Sequence, residues 1–216
     1  MVPEAAVLFA AEQMLDVIER DISGVAVECG VWRGGCSIAM LLAQQDLHGD
    51  VPKKVYLLDS FEGLPPAAER DGPLAVAWQA DTEGPIYYDN CRASLEHVRK
   101  DLLDLGLPAE AYELVPGWFD NTVPALGERL TEDGIALLRL DGDWYDSTMV
   151  CLEHLEPLVS EEGVVLIDDY YAWDGCARAV HDYLSKNDLP YRIRFLPDLT
   201  GAYFLKRPFR AEQGRL

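Results

Sequence analysis

Basic residues are scarce in this chain: 18 Lys and Arg stand against 38 Asp and Glu, a formal net charge of −20. A surface of that sign repels phosphate backbones, which excludes nucleic acid as a partner. Long apolar runs are missing too. No stretch of the sequence approaches the roughly 20 residues of a membrane-spanning helix, so no membrane partner is expected. The amino-terminal "MVPEAAVLFAAEQMLDVIERDI" has neither the basic start nor the unbroken apolar core of a signal peptide. The five cysteines (Cys29, Cys36, Cys91, Cys151, Cys176) are odd in number and form no CxxC pair. That argues against a disulfide framework or a zinc site and implies free thiols in a reducing, cytoplasmic compartment. Repeats, low-complexity tracts and linkers are absent as well, so the 216 residues are expected to form a single domain, 1–216.

What is present is an alternation of short apolar strands and longer helical stretches. Residues 1–22 carry apolar side chains at 7, 8, 11, 14, 15 and 18, the spacing of an amphipathic helix. "VAVEC" then reads as a buried strand, "CSIAMLLAQQ" as a helix and "KKVYLLD" as the next strand. Beyond them the pattern predicts a helix around 89–105, strand "YELVPG", a helix near 121–130 and strand "IALLRLD". A helix over 147–159, strand "GVVLID" and a helix over 175–186 follow. "YRIRFLP" and "GAYFLKR" close the chain, joined by a turn containing Asp198 and Gly201 that is too short for a helix and so implies a hairpin. Strand–helix alternation implies right-handed crossovers and a mostly parallel sheet, an α/β fold. The Gly- and Pro-rich segment 62–88 fits no element and has the length of a lid or binding loop.

In open α/β sheets ligands bind beyond the carboxyl ends of the strands. Glu28, Asp59, Asp141, Asp168 and Asp169 all fall at or near such ends and should share one rim. "VECGVWRGG" (27–35) follows a strand and opens a helix. Gly30 permits a tight turn there, and Gly34 and Gly35 permit close approach of a ligand or of the next helix. Its ExGxxxG spacing is not the GxGxxG of a dinucleotide pyrophosphate loop. Asp59 could accept from the vicinal hydroxyls of a ribose or simply hold the turn "SFEGLP". Trp118 and Phe119, in "PGWFDNTVP", could pack on a flat base or belong to the core. "LLRLDGDWYDS" and "GVVLIDDYY" each end an apolar run on a pair of acids: Asp141 with Asp143, and Asp168 with Asp169. Carboxylates gathered so closely repel unless protons or a cation neutralise them, and Mg²⁺ with oxygen ligands suits such a set. The histidines (His48, His97, His154, His181) read as helix-surface residues, and no Ser/His/Asp or Cys/His set supports nucleophilic catalysis.

Taken in order, "VECGVWRGG", "VYLLDSFEGLP", "GWFDNTVP", "LLRLDGDWYDST", "GVVLIDDY" and "WDGCARAV" resemble the macrocin O-methyltransferase family over residues 20–206. The resemblance implies a Rossmann-like three-layer sandwich, its seven-stranded, mostly parallel sheet ending in an antiparallel strand. It also implies Mg²⁺-dependent transfer of a methyl group from S-adenosylmethionine to a hydroxyl, on a sugar of a macrolide-like or other glycosylated natural product, by a homodimer. Carried over by position, Glu28, Gly30, Gly34, Gly35 and Ser37 would hold the methionine part of the cofactor. Asp59 would take its ribose, and Ser60, Trp118 and Phe119 would border its adenosine. Asp141, Asp168 and Asp169 would bind the metal. Metal-dependent catechol methyltransferases carry a lysine three positions after the first metal aspartate; Trp144 stands there in this chain, which leaves Asp141 or Asp143 as the base. Two other readings stay open: methylation of a catechol-like aromatic hydroxyl, and a glycosyltransferase using "DGD" as a DxD motif.

Overall fold

The computed structural model describes residues 3–196 and 201–207. Seven strands form one sheet in the order β3-β2-β1-β4-β5-β7-β6. They are β1 (Val25–Cys29), β2 (Val55–Asp59), β3 (Tyr112–Pro116), β4 (Ile135–Leu140), β5 (Val159–Ile167), β6 (Arg194–Phe195) and β7 (Ala202–Leu205). Strands β1 to β5 pair in parallel, and β7 runs antiparallel to both β5 and β6, as expected of a hairpin at the chain end. Of the turn between them, Gly201 accepts from the Leu196 N–H, whereas Asp198 lies outside the described residues.

Period-two alternation along the strands divides the core. On one face Val27, Cys29 and Leu58 pack against Val123 and Leu126 of α5 (Phe119–Arg129), Leu152 of α6 (Tyr145–Leu155) and Val180 of α7 (Asp174–Lys186). On the other face Ala26, Val55 and Leu57 meet Ala10 and Met14 of α1 (Glu4–Glu19), Met40 of α2 (Gly35–His48) and Leu102 of α4 (Leu95–Asp104). The result is helix, sheet and helix in three layers. The short α3 (Pro73–Ala80) stands apart at the carboxyl rim of the sheet.

Several boundaries differ from the sequence reading. The buried side of α1 is Ala6, Ala10, Met14 and Val17, while Leu8 is 56% exposed. Small alanines let α1 lie close on its neighbours, while Met14 is fully buried and Val7, Phe9 and Ile18 pack beside the stripe. The helix expected over 89–105 begins only at Leu95, where the Ser94 hydroxyl accepts from the His97 N–H as an N-cap. Before it, Tyr88, Asp89, Asn90 and Cys91 all have positive φ, a left-handed turn. The helix expected over 147–159 stops at Leu155; Pro157 follows in a 3₁₀ turn, and β5 starts at Val159. Within 62–88, a 3₁₀ turn (Glu69–Asp71) and α3 appear, the latter with Gly72 at its N-cap and Pro73 opening it. Among the described residues no helix is long and apolar enough to cross a membrane.

Candidate active site

The strand order reverses between β1 and β4, whose neighbours lead outward to opposite edges of the sheet. Ligands collect at such a switch point. The loop after β1 begins with Gly30, which stands at φ +96; a Cβ there would lie 1.7 Å from the Asp141 carbonyl oxygen. Only glycine lets the two strand ends approach so closely. Above them opens a cavity of about 1140 Å³. Glu28, Gly30, Gly35, Asp59, Trp118 and Phe119 line one end of it. Asp141, Asp143, Asp169, Trp78, Trp144 and Trp173 line the other.

Not every residue expected to touch a ligand faces the cavity. Gly34, at φ +85, is the N-cap of α2 and packs towards Ile38 and Val98; it is not part of the cavity wall. Ser37 is wholly buried behind the loop, where its hydroxyl donates to Glu28 Oε2. Ser60 lines the cavity, yet its Oγ bonds the Gly63 carbonyl and the Glu62 N–H, shaping the turn. Asp59 ties two loops together. Its Oδ2 accepts from the N–H groups of Val31 (2.9 Å) and Trp32 (2.7 Å), and its Oδ1 from Phe61 (2.6 Å). Burial pushes the Asp59 carboxyl up, against the pull of those three donors. Trp118 is 36% exposed at the start of α5, with Phe119 next to it.

The acids behave as a coupled set. Asp141, Asp143 and Asp169 each offer one oxygen within 4.8 Å of the others. The Asp143 N–H donates to Asp169 Oδ2 at 3.0 Å, and the Trp173 indole N–H donates to Asp143 Oδ1 at 2.8 Å. Burial and the charge of Asp141 push Asp143 up to about 7, although the Trp173 hydrogen bond pulls the other way. Asp169 is also raised well above the usual carboxylate range, by burial and then by Asp143 and Asp141. Asp168, expected from sequence beside Asp141 and Asp169, lies outside this trio. Its Oδ1 accepts from Arg139 Nη2 at 2.8 Å, and its carboxyl sits at about 6 because burial exceeds the pull of the guanidinium.

Arg139 is the functional-site residue that sequence reasoning passed over. It occupies a strand flanked by leucines and is 2% exposed. The signal was there: a lone arginine in an apolar run at the centre of a sheet must be paired. Its Nη1 donates to Glu28 Oε1 (2.7 Å) and to Asp141 Oδ2 (2.8 Å). Burial holds the Glu28 carboxyl up at about 7, against the opposing effects of Arg139 and Ser37.

Segment 62–91 closes the cavity from above. Trp144 donates its indole N–H to the Pro65 carbonyl (2.9 Å), and Asp71 Oδ1 accepts from the Tyr145 N–H (2.7 Å). Trp78 of α3 meets Trp144 and Trp173 edge to face, at 6.1 and 5.7 Å between ring centroids. Tyr88 leans on Trp32 of the glycine loop at 6.0 Å. The Trp32 indole nitrogen is buried in the cavity wall with no hydrogen-bond partner among the described residues. The four histidines all lie on helices, exposed and away from the cavity.

Comparison with known proteins gives the family. The pattern of the Macrocin-O-methyltransferase (TylF) family matches residues 5–206. An 8-demethyl-8-(2,3-dimethoxy-alpha-L-rhamnosyl)-tetracenomycin-C 4'-O-methyltransferase of Streptomyces olivaceus is 40% identical over 190 residues, covering 87% of this chain and 68% of that protein. A demethyldecarbamoylnovobiocin O-methyltransferase of Streptomyces niveus is 36% identical over 193 residues, covering 88% and 68%. The solved structure of the O-methyltransferase NovP superposes with a TM-score of 0.74 at 32% identity, covering 94% of this chain and 79% of that one. A DxD glycosyltransferase is thereby set aside. The chain belongs to the macrocin O-methyltransferase family and is an O-methyltransferase.

Proposed function

We propose that the enzyme methylates a sugar hydroxyl of a glycosylated natural product, using S-adenosylmethionine and a divalent cation, Mg²⁺ by preference. The observation that carries this reading is the single cavity that joins the glycine loop and Asp59 to the acidic rim and its tryptophans. One end suits the cofactor. The glycine loop admits close approach to the backbone, Trp118 and Phe119 can flank a flat base, and Trp32 lines the same space. Asp59 Oδ2 is already taken by two N–H donors, and the second lone pair of Oδ1 remains for a ribose hydroxyl. The other end suits a hydroxylated ring, with carboxylates beside indole faces. The named substrates of the relatives support the sugar: a rhamnosyl tetracenomycin and, for a third relative from Micromonospora griseorubida, mycinamicin III.

The acidic rim fits a hard divalent cation because Asp141, Asp143, Asp168 and Asp169 crowd four carboxylates against the one guanidinium of Arg139. Asp141 and Asp169, with Asp168 on the adjoining turn, would hold it. When bound, such an ion lowers the pKa of a hydroxyl and fixes its position. The residues of the chain have the remaining tasks. The glycine loop and Asp59 hold the methyl donor, and the cavity walls align the acceptor oxygen with the methyl carbon, opposite the sulfur. As the new C–O bond forms and the C–S bond breaks, the hydroxyl proton passes to a carboxylate. Asp143 is the base in this reading: it stands in the trio with Asp141 and Asp169, and the Trp173 indole N–H orients its carboxylate.

Calorimetric titration of S-adenosylhomocysteine and of Mg²⁺ tests the assignment. The wild type should bind both, Asp169→Asn should lose Mg²⁺ alone, and Asp143→Asn should keep both ligands while losing turnover. Absence of S-adenosylhomocysteine binding by the wild type would sink the proposal. Turnover on free catechols but not on glycosides would replace the sugar with an aromatic acceptor.

A further inference from the structure

We infer that Arg139 is the positioning residue of the acidic rim: it fixes one oxygen of Asp141 and one of Asp168 so that the second oxygen of each is presented to the cation. The inference rests on the metal reading above and goes beyond it, because Arg139 itself would touch neither metal nor substrate.

The placement follows from strand geometry. Arg139 is in register with Glu28 across the β1–β4 pair and with Leu166 across the β4–β5 pair. Side chains on one face recur every second residue, so Asp141, two after Arg139, and Asp168, two after Leu166, continue the face that carries Arg139 and Glu28. One guanidinium thus meets three carboxylates: Glu28 Oε1 at 2.7 Å, Asp141 Oδ2 at 2.8 Å and Asp168 Oδ1 at 2.8 Å. The planar fork satisfies two strands with Nη1 and a third with Nη2. An ammonium offers a compact charge instead of a fork and cannot reproduce that span. Burying an arginine this deeply is costly unless its partners are fixed, and here they are fixed by its own strand and the two beside it. The carboxylates in turn lose rotational freedom. Glu28 is also held from behind by Ser37, so the anchor does not swing. Outer hydrogen bonds of this kind orient metal ligands, and their removal typically lowers metal affinity about 10–100-fold.

The test uses Mn²⁺ as a paramagnetic probe, with its affinity read by electron paramagnetic resonance on the full-length enzyme. Arg139→Lys keeps the charge and removes the fork; Mn²⁺ affinity should fall about tenfold or more. Tyr183→Phe is the control for general loss of stability, since Tyr183 bonds Glu156 away from the rim, and it should leave Mn²⁺ affinity unchanged. If Arg139→Lys does not fold, Arg139→Gln, which retains two donors without the charge, should show the same loss. Unchanged Mn²⁺ affinity in either variant overturns the inference. A wild-type measurement stands independently of both: the guanidinium N–H resonances of Arg139 should stay protected from exchange when Mg²⁺ is added. Their loss would mean that the cation displaces Arg139, which also overturns it. A wild type that binds S-adenosylhomocysteine but no Mn²⁺ would refute the metal reading itself and this inference with it. Binding in the wild type with no effect of the variants would refute the inference alone.

Discussion

At Gly30 a positive φ coincides with a neighbouring carbonyl so close that a methyl group has no place. Gly30→Ala must therefore part β1 from the end of β4. We expect a stability loss of about 2 kcal/mol or more, from left-handed strain and displaced backbone together, with S-adenosylhomocysteine binding lost. Thermal denaturation and calorimetry measure the two effects. The titrating groups give a second expectation. Glu28 and Asp143 are held at about 7 and Asp168 at about 6 by burial, against ordinary values of 4.5, 3.8 and 3.8. Raised acids in the folded state bind protons that the unfolded chain has already released, so their contribution to stability is fully present below about 4 and is lost as pH rises through about 7. Without divalent cations, the melting temperature should accordingly fall between pH 5 and 8. A flat profile in a chelating buffer would show that these groups are not held up.

At the scale of elements, the cap over the cavity is tied to the core by Tyr145 with Asp71, by Arg70 with Asp146 and by Trp144 with Pro65. Trp144 is 2% exposed and bonded to the Pro65 carbonyl. In Trp144→Phe that carbonyl keeps its bond from Gln79 Nε2 (2.9 Å), so the lost hydrogen bond itself costs about 1 kcal/mol. The smaller ring adds the cost of the space it leaves in a buried site. The acceptor KM should rise while S-adenosylhomocysteine affinity holds, because the cofactor end is lined by other elements. Steady-state kinetics with both ligands varied would reveal it; an equal loss at both ends would contradict the division. Strands were legible from the sequence because a buried parallel strand is a short apolar run between turns. Segment 62–91 was not. Its one α-helix has eight residues, and its shape comes from contacts such as Asn90 Nδ2 with the Leu64 carbonyl (2.8 Å). The stripe on α1 was legible only in part: helical spacing placed Met14 in it but also the exposed Leu8, whereas Ala6, Ala10 and Val17 complete the buried side.

For the whole molecule, a net charge of −20 and the acidic rim mean that a divalent cation held as proposed would be a stabilising ligand. A cation that binds only the folded state adds about 2.7 kcal/mol at one hundred times its Kd. Mg²⁺ should therefore raise the melting temperature, flatten the pH profile described above, and do neither in Asp169→Asn. Differential scanning calorimetry with Mg²⁺ against a chelator gives that comparison directly. NaCl at matched ionic strength controls for general screening of the negative surface.

The linear sequence was sufficient for whatever depends on neighbours along the chain. Strand tips, the glycine turn after β1, the acids that follow apolar runs and the order of the family's motifs are all local patterns, and the sheet they imply is the one observed. Which side chains meet across strands was decided by the tertiary structure alone. Register set Arg139 beside Glu28, and the reversal of strand order brought Gly30 against Asp141. The same folding put Ser37 behind the loop, drew Asp143 into the trio with Asp141 and Asp169, and gave Asp168 to the arginine. Such pairings join residues up to 111 positions apart and depend on distances that sequence spacing does not encode.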